Sequence, residues 1–501
     1  MSIEATRALD NARLSKEHWR VWALSAMGIF LDGFDLFIIA IALPFINQQF
    51  SPSDHLQGLI VSAAPFGCIL GATVFGRMTD KLGRKILLLL NILFFVIFAA
   101  CTAFAWDVSS LILFRFLLGI GIGADYPVSS TYIVENMPKR LRGKMLVSGF
   151  GFQALGMLAA AATGLIIILV HPEVNAWRIM LGIAVIPAII IMLLRLTLPE
   201  STRWLIHKGD LEKASAAASK MTGKKIKIDA IAASSEASFV DLFTPRYLKR
   251  TILTAGSWFI MDIVFYGINF FLPIILATLA FSHHTDYITK DIASIKGDAF
   301  TDIFLVVGIF VAILLVDTWG RIKLQSVGFI GMAVGFFLIA SAHFFGGSGD
   351  TAYIVVLFAG FILFNLMVNM GPNPITFLLP AELFPTHIRA TGHGFASACG
   401  KIGAALGGIG VPVLMIAIGI PETMAVAGIL CLLGFILTAV LGYETKGKSL
   451  DDISGLQKTM TDAEVALLNV QRDIQKLNHD IKHVETALTK AIDKMRNMQQ
   501  P

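Results

Sequence analysis

The sequence predicts an all-α polytopic membrane protein with twelve transmembrane helices in two pseudo-symmetric six-helix halves, followed by a C-terminal coiled-coil-like helix. Three observations carry that expectation. Of the 501 residues, 55% are hydrophobic and 15% charged, too little charge to cover a soluble surface of this size. Apolar runs of about 20 residues, the length that crosses a bilayer, recur from Trp19 to Tyr443. Short polar signatures among the first six runs return among the second six.

The opening segment, 1–19, is polar and too long before its first apolar run to resemble a cleaved signal, so the first helix is expected to stay as an anchor. The N-terminal half, 20–199, holds runs near 20–46, 57–76, 86–106, 108–133, 145–170 and 177–198. A polar linker, 200–249, separates it from the C-terminal half, 250–445, with runs near 250–279, 300–317, 323–345, 352–379, 391–419 and 421–443. Lys and Arg crowd into GRMTDKLGRK, NMPKRLRGK, the stretch 203–250 and WGRIK. With alternating spans these lie on one side, which the positive-inside rule makes cytoplasmic. Both termini then face the cytoplasm of a cell bounded by this plasma (inner) membrane. The net charge of +5 follows from this placement and is no nucleic-acid signal.

The halves repeat one another. Asp80, Gly83 and Arg84 in TDKLGRK return as Asp317, Gly320 and Arg321 in VDTWGRIK; Glu135, Pro138 and Arg142 return at the same spacing as Glu382, Pro385 and Arg389. In that register Tyr126-Pro127 falls on Asn373-Pro374. A duplicated six-span unit is the mark of transporters that bind at the interface of their halves. Asp80, Arg84, Asp317 and Arg321 sit on tight turns beside Glu135, Arg142, Glu382 and Arg389. Together they are expected to form a gate, with ion pairs between the halves when the transporter faces outward.

Ionisable groups at membrane depth cost several kcal/mol unless paired or hydrated, so each is a functional candidate. Asp32 and Asp35 share one face of the first span; Arg115 and Asp125 share the fourth; Asp262 lies in the seventh and Lys401 in the eleventh. Each could be half of a structural pair. Acids outnumber bases, however, so at least one acid is protonated or awaits a cation, which suits a proton-coupling site. Asp35 is expected to pair with Arg115 as one proton gate. Trp258, Asp262 and Tyr266 recur every four residues along one helical stripe. Tyr126, Gln153 and Asn373 add neutral donors, and Lys401 adds a positive charge. A ligand suited to five neutral donors, one lysine and one carboxylate is a small oxyanion that still carries protons. Inorganic phosphate fits, because it keeps or sheds its last proton near neutrality. Sulfate would bring no O–H to Asp262 and leave that acceptor unsatisfied.

Over residues 20 to 453 the chain resembles the major facilitator superfamily, through GRMTDKLGRK, LPESTRWL and YETKGKSLDDI. GADYPVSSTYIVE, FLDGFDLF, FGFQALG, WFIMDIVFYG, MGPNPITF and ACGKIGA resemble the spans of its phosphate:proton symporters. That resemblance implies phosphate binding by Tyr126, Gln153, Trp258, Asp262, Tyr266 and Asn373. It also implies proton movement through Asp32, Asp35 and Asp125, with Lys401 linked to release. The expected function is thus proton-coupled import of phosphate by alternating access. An organic-acid or sugar symporter of the same fold, and a nutrient sensor signalling through its tail, are the alternatives.

The tail, 446–501, places Leu467, Val470, Ile474, Leu477, Ile481, Val484, Leu488, Ala491 and Met495 in steps of three and four. About four heptads result, enough for self-association as a short coiled coil. His479 and His483 stand one turn apart there, more in keeping with a solvated face than a metal site. Cys68, Cys101, Cys399 and Cys431 show no paired spacing and are expected to be packing residues. With no nucleotide-binding loop, nucleophile elbow or metal-ligand cluster, neither enzyme activity nor a cofactor is expected.

Overall fold

The computed structural model describes residues 8–454 apart from 172, 229–237, 270, 280–286 and 348–349. Among the described residues twelve helices are long and apolar enough to cross a membrane, as the apolar runs predict. The first six are Lys16–Ile39, Leu56–Leu82, Arg84–Ala103, Val108–Asn136, Arg142–Val170 and Ala176–Arg195. The second six are Leu248–Asn269, Phe300–Trp319, Arg321–Phe345, Thr351–Leu383, Arg389–Ile418 and Ile420–Leu441. Among the described residues there is no strand. Outward-facing Leu165, Ile166, Leu169, Ile186, Phe310 and Val440 are exposed, as lipid-facing positions of a multi-pass membrane protein should be.

Local chemistry sets several boundaries. Asp107 accepts from the backbone N–H of Ser110 at 2.7 Å while the Ser110 hydroxyl reaches back, a capping box that starts the fourth span. Gly83 and Gly320 end the second and eighth spans at φ +105° and +96°, a region that favours glycine. A Cβ at either would meet Glu200 or Glu444 at 2.5 Å. The tenth span breaks at Gly371 into Thr351–Met370 and Pro372–Leu383. The seventh ends at Asn269, earlier than its apolar run, and Leu272–Leu279 forms a separate short helix.

With lipid as solvent, helices gain little from hydrophobic contact and associate through close packing at small residues. A Cβ on Gly119 would lie 2.1 Å from the Ala64 carbonyl oxygen, so the second and fourth spans touch backbone to backbone. Gly403 approaches the Phe259 carbonyl in the same way between the eleventh and seventh spans, and Gly394 approaches Ala72 across the halves. All four cysteines are free, with Cys68 and Cys431 buried, in keeping with packing roles.

The linker is more structured than its polar composition suggests. Thr202–Lys208 and Leu211–Thr222 are helices, and Leu205, Ile206, Ala214, Ala217, Ala218 and Ile228 form a small core of their own. The chain divides into two compact units, Met1–Lys448 and Ser449–Pro501. Of the second, the described residues form a short helix, Leu450–Ser454; the heptad positions, His479 and His483 lie outside the described residues.

Candidate functional site

The fourth, fifth, seventh, tenth and eleventh spans bring most of the expected binding residues together. Gln153 donates to the Tyr126 hydroxyl at 3.1 Å, leaving the Tyr126 O–H to donate elsewhere. The Lys401 ammonium donates to Asp262 Oδ2 and to the Tyr266 hydroxyl, each at 3.2 Å. It also lies 4.6 Å from the Tyr266 ring centroid and 5.2 Å from that of Tyr126. Tyr126 and Trp258 meet edge to face at 6.4 Å, and Phe377 touches both. Asn373 stands one turn before Phe377 and donates to Asn369 rather than to another of the expected residues. Asp262 is therefore not a solitary acid in this state; Lys401 neutralises it.

The remaining intramembrane charges form a second group. Arg115 and Asp35, 80 residues apart, form the expected ion pair at 3.3 Å. Only Nη2 of Arg115 is engaged; its Nε and Nη1 have no hydrogen-bond partner among the described residues. Asp125 pairs not with Arg115 of its own span but with Arg195 at 3.4 Å. It also accepts from Asn91 at 2.5 Å and from Ser129 at 2.9 Å. Asp32, Asp125, Asn91 and Arg195 line one small cavity. Three of these acids thus have cations; among the described residues Asp32 has no ion pair, and neither does Asp302 at the start of the eighth span.

The duplicated motifs gather on the linker side of the bundle, where one ion pair joins the halves. Glu135 accepts from Arg84 at 2.9 and 3.0 Å, from Ser201 at 2.5 Å and from Arg389 of the other half at 2.7 Å. Glu382 accepts from Arg321 at 2.9 and 3.0 Å and from Thr445 at 2.5 Å. Asp80 caps the opposite half's eleventh span, accepting from the N–H groups of Ala390 and Thr391 at 3.2 and 2.8 Å. Asp317 does the same for the fifth span through the Lys144 N–H at 3.0 Å. Glu200 and Glu444 cap the third and ninth spans through the N–H groups of Arg84 and Lys85, and of Arg321 and Ile322. Burial pushes the Glu200 carboxyl up from its ordinary value.

One expected symmetry is missing. Glu135–Arg389 joins the halves, but Arg142 does not take the equivalent place beside Glu382. Arg142 instead pairs at 2.8 Å with Asp10 from the opening segment, and Asp10 also holds Arg203 at 2.8 Å. The difference between the halves is Asp10: Glu135 and Glu382 each hold one arginine of their own half and one hydroxyl, but a buried carboxylate from the opening segment draws Arg142 away, and Arg389 has no such rival.

Sequence reading passed over Asn91, Arg195, Asn369 and Asp10. Asn91 in LLLLNILFF and Arg195 in MLLRLTLPE are lone polar residues in apolar runs, a usable signal. Asn369 is marked by its spacing of four from Asn373 beside a Gly-Pro break. Asp10 carries no signal of its kind, since an acid in a polar terminus is ordinary.

Two bundles closed on one side around a buried polar cluster define a membrane transporter of the major facilitator type. Residues 21–456 match the family described as sugar (and other) transporter. The "Probable inorganic phosphate transporter 1-6" of Arabidopsis thaliana is 32% identical over 503 residues, covering 90% of this chain and 96% of that protein. "Low affinity inorganic phosphate transporter 4" of Medicago truncatula is 30% identical over 509 residues, covering 91% and 95%. Among solved structures, the major facilitator superfamily proton:xylose symporter XylE bound to 6-bromo-6-deoxy-D-glucose is similar with a TM-score of 0.72. It is 21% identical and covers 89% of this chain and 100% of that one. The chain belongs to the sugar (and other) transporter family, and the family resemblance carried by its motifs is borne out.

Proposed function

We propose that this protein is a proton-coupled symporter that imports inorganic phosphate by alternating access. The observation that carries the reading is the Lys401–Asp262 pair set beside the hydroxyls of Tyr126 and Tyr266. The names of the similar phosphate transporters support it. An arriving oxyanion competes with Asp262 for Lys401. The carboxylate so released accepts a phosphate O–H, while Tyr126, Gln153, Trp258 and Tyr266 supply donors to the charged oxygens. Sulfate cannot return an O–H to Asp262, and an unmade buried hydrogen bond costs about 1–3 kcal/mol.

Proton coupling falls to the first and fourth spans. A buried carboxylate without a cation costs several kcal/mol, so Asp32 takes a proton in the described state. Asp35, held by a single nitrogen of Arg115, is a second site whose pair breaks and re-forms. Release follows when Glu135–Arg389 and the helix caps at Asp80 and Asp317 part. The Lys and Arg bias makes the linker side cytoplasmic, in a plasma (inner) membrane with both termini inside. The heptad tail serves self-association.

Phosphate uptake into proteoliposomes under an imposed pH gradient tests the reading. The wild type concentrates phosphate, and Asp262→Asn lowers uptake by about tenfold or more, the loss expected for one hydrogen bond to a charged group. Preference for sulfate, or indifference to both anions, would refute it.

A further inference from the structure

The orientation of the Asn373 amide is fixed by a residue outside the expected binding set. Asn369 donates from Nδ2 to the Leu305 carbonyl oxygen at 3.0 Å. Asn373 donates from Nδ2 to Asn369 Oδ1 at 2.7 Å. A backbone carbonyl can only accept. Asn369 must therefore turn its NH2 toward Leu305, and its oxygen is left for Asn373. The order of donors along Leu305, Asn369 and Asn373 has one solution. Asn373 spends one amide hydrogen on Asn369, and its carbonyl oxygen is the end not spent there.

The chain of bonds crosses the break in the tenth span. Pro372 and Pro374 have no N–H, so the carbonyls of Val368 and Met370, one turn back, lose their helical partners. Asn369 lies just before this break and Asn373 just after it. Two close approaches hold the parts. A Cβ on Gly308 would lie 2.5 Å from the Leu366 carbonyl oxygen and 3.0 Å from Asn369 Cβ, so the eighth span presses on the tenth where Asn369 reaches Leu305. A Cβ on Gly371 would lie 2.4 Å from the Leu324 carbonyl oxygen, seating the break against the ninth span. Asn369 and Asn373 are both buried, where an unmade hydrogen bond is costly.

We infer that Asn369 is a positioning residue that locks Asn373 with its carbonyl oxygen toward the ligand, giving the site a second acceptor besides Asp262. The inference rests on the phosphate reading above. It makes the tenth span's contribution an acceptor for a protonated ligand oxygen, set by a tie to the eighth span.

The test measures KM and Vmax of phosphate uptake in proteoliposomes for wild type, Asn369→Leu and Asn369→Asp at matched protein content. Asn369→Leu frees the Asn373 amide to rotate and is expected to raise KM by about tenfold or more while lowering Vmax less than about threefold. Asn369→Asp is the conservative rescue. As an acid its O–H donates to Leu305 and its C=O accepts from Asn373, reproducing the asparagine; as a carboxylate it cannot donate. Its KM should match wild type near about pH 5 and rise toward about pH 8 more steeply than the wild-type KM does. A wild-type KM in Asn369→Leu, or an Asn369→Asp KM whose pH profile runs parallel to wild type, overturns the inference. Should Asn369→Leu fail to fold, the Asn369→Asp profile decides alone. A wild type that imports no phosphate overturns the reading beneath it, and that arm separates the two failures.

Discussion

His387 and His207 stack with ring centroids 5.6 Å apart and planes 21° apart on the linker side, between the loop before the eleventh span and the first linker helix. Burial pulls the His387 imidazole down to about 4, and the facing His207, Arg389 and Arg246 push the same way against Asp241. Burial also lowers His207, helped by Arg84 and Lys208 against Glu135. The sign follows from linkage. An unfolded histidine takes its proton near pH 6.5, whereas His387 in the fold stays neutral to about 4. As pH falls through that window the unfolded chain binds more protons, so the folded state loses stability on acidification. His387→Gln should therefore show a smaller drop in melting temperature between pH 7 and pH 4.5 than wild type; an unchanged drop would mean the ring is not buried neutral. At this scale much was legible. A charge inside an apolar run is visible, and Asp32, Asp35, Arg115, Asp125, Asp262 and Lys401 stood out. Partners were harder. Arg195 is visible as a charge in an apolar run, but nothing in the sequence ties it to Asp125, 70 residues away.

Among the spans, glycine sets how near two helices come. Gly119 lets the fourth span lie on the backbone of the second, where any Cβ would sit 2.1 Å from the Ala64 oxygen. Gly119→Ala is expected to force these helices apart and destabilise the protein by about 1–3 kcal/mol, the range for overpacking. A lower melting temperature of the purified variant checks this, with Gly410→Ala, where a Cβ meets nothing within 4 Å, as the neutral comparison. Apolar length predicted all twelve spans, since a bilayer crossing needs about 20 residues whatever their neighbours. The Gly371 break was foreshadowed by GPNP. The early end of the seventh span was not, because Leu272–Leu279 is as apolar as the helix before it and composition cannot separate them. The linker helices were missed because a short amphipathic helix in a charged stretch resembles a loop.

For the molecule as a whole, duplication was readable and its breakdown was not. Matching signatures revealed two halves, and the paired caps by Asp80 and Asp317 follow that symmetry. Asp10 departs from it by holding Arg142 and Arg203 at once. Removing one member of a buried ion pair costs about 3 kcal/mol or more. Asp10→Asn, which leaves Arg142 and Arg203 without their carboxylate, should thus lower the melting temperature of the purified protein; an unchanged melting temperature would show the tether to be idle.

Asp10 also gives the chain a direction that its near-twofold pattern hides. Glu200 and Glu444 cap matching turns, so the two bundles are alike there. At the matching arginines they differ, because Arg142 meets Asp10 while Arg389 meets Glu135. One acid ahead of the first span is what tells the bundles apart.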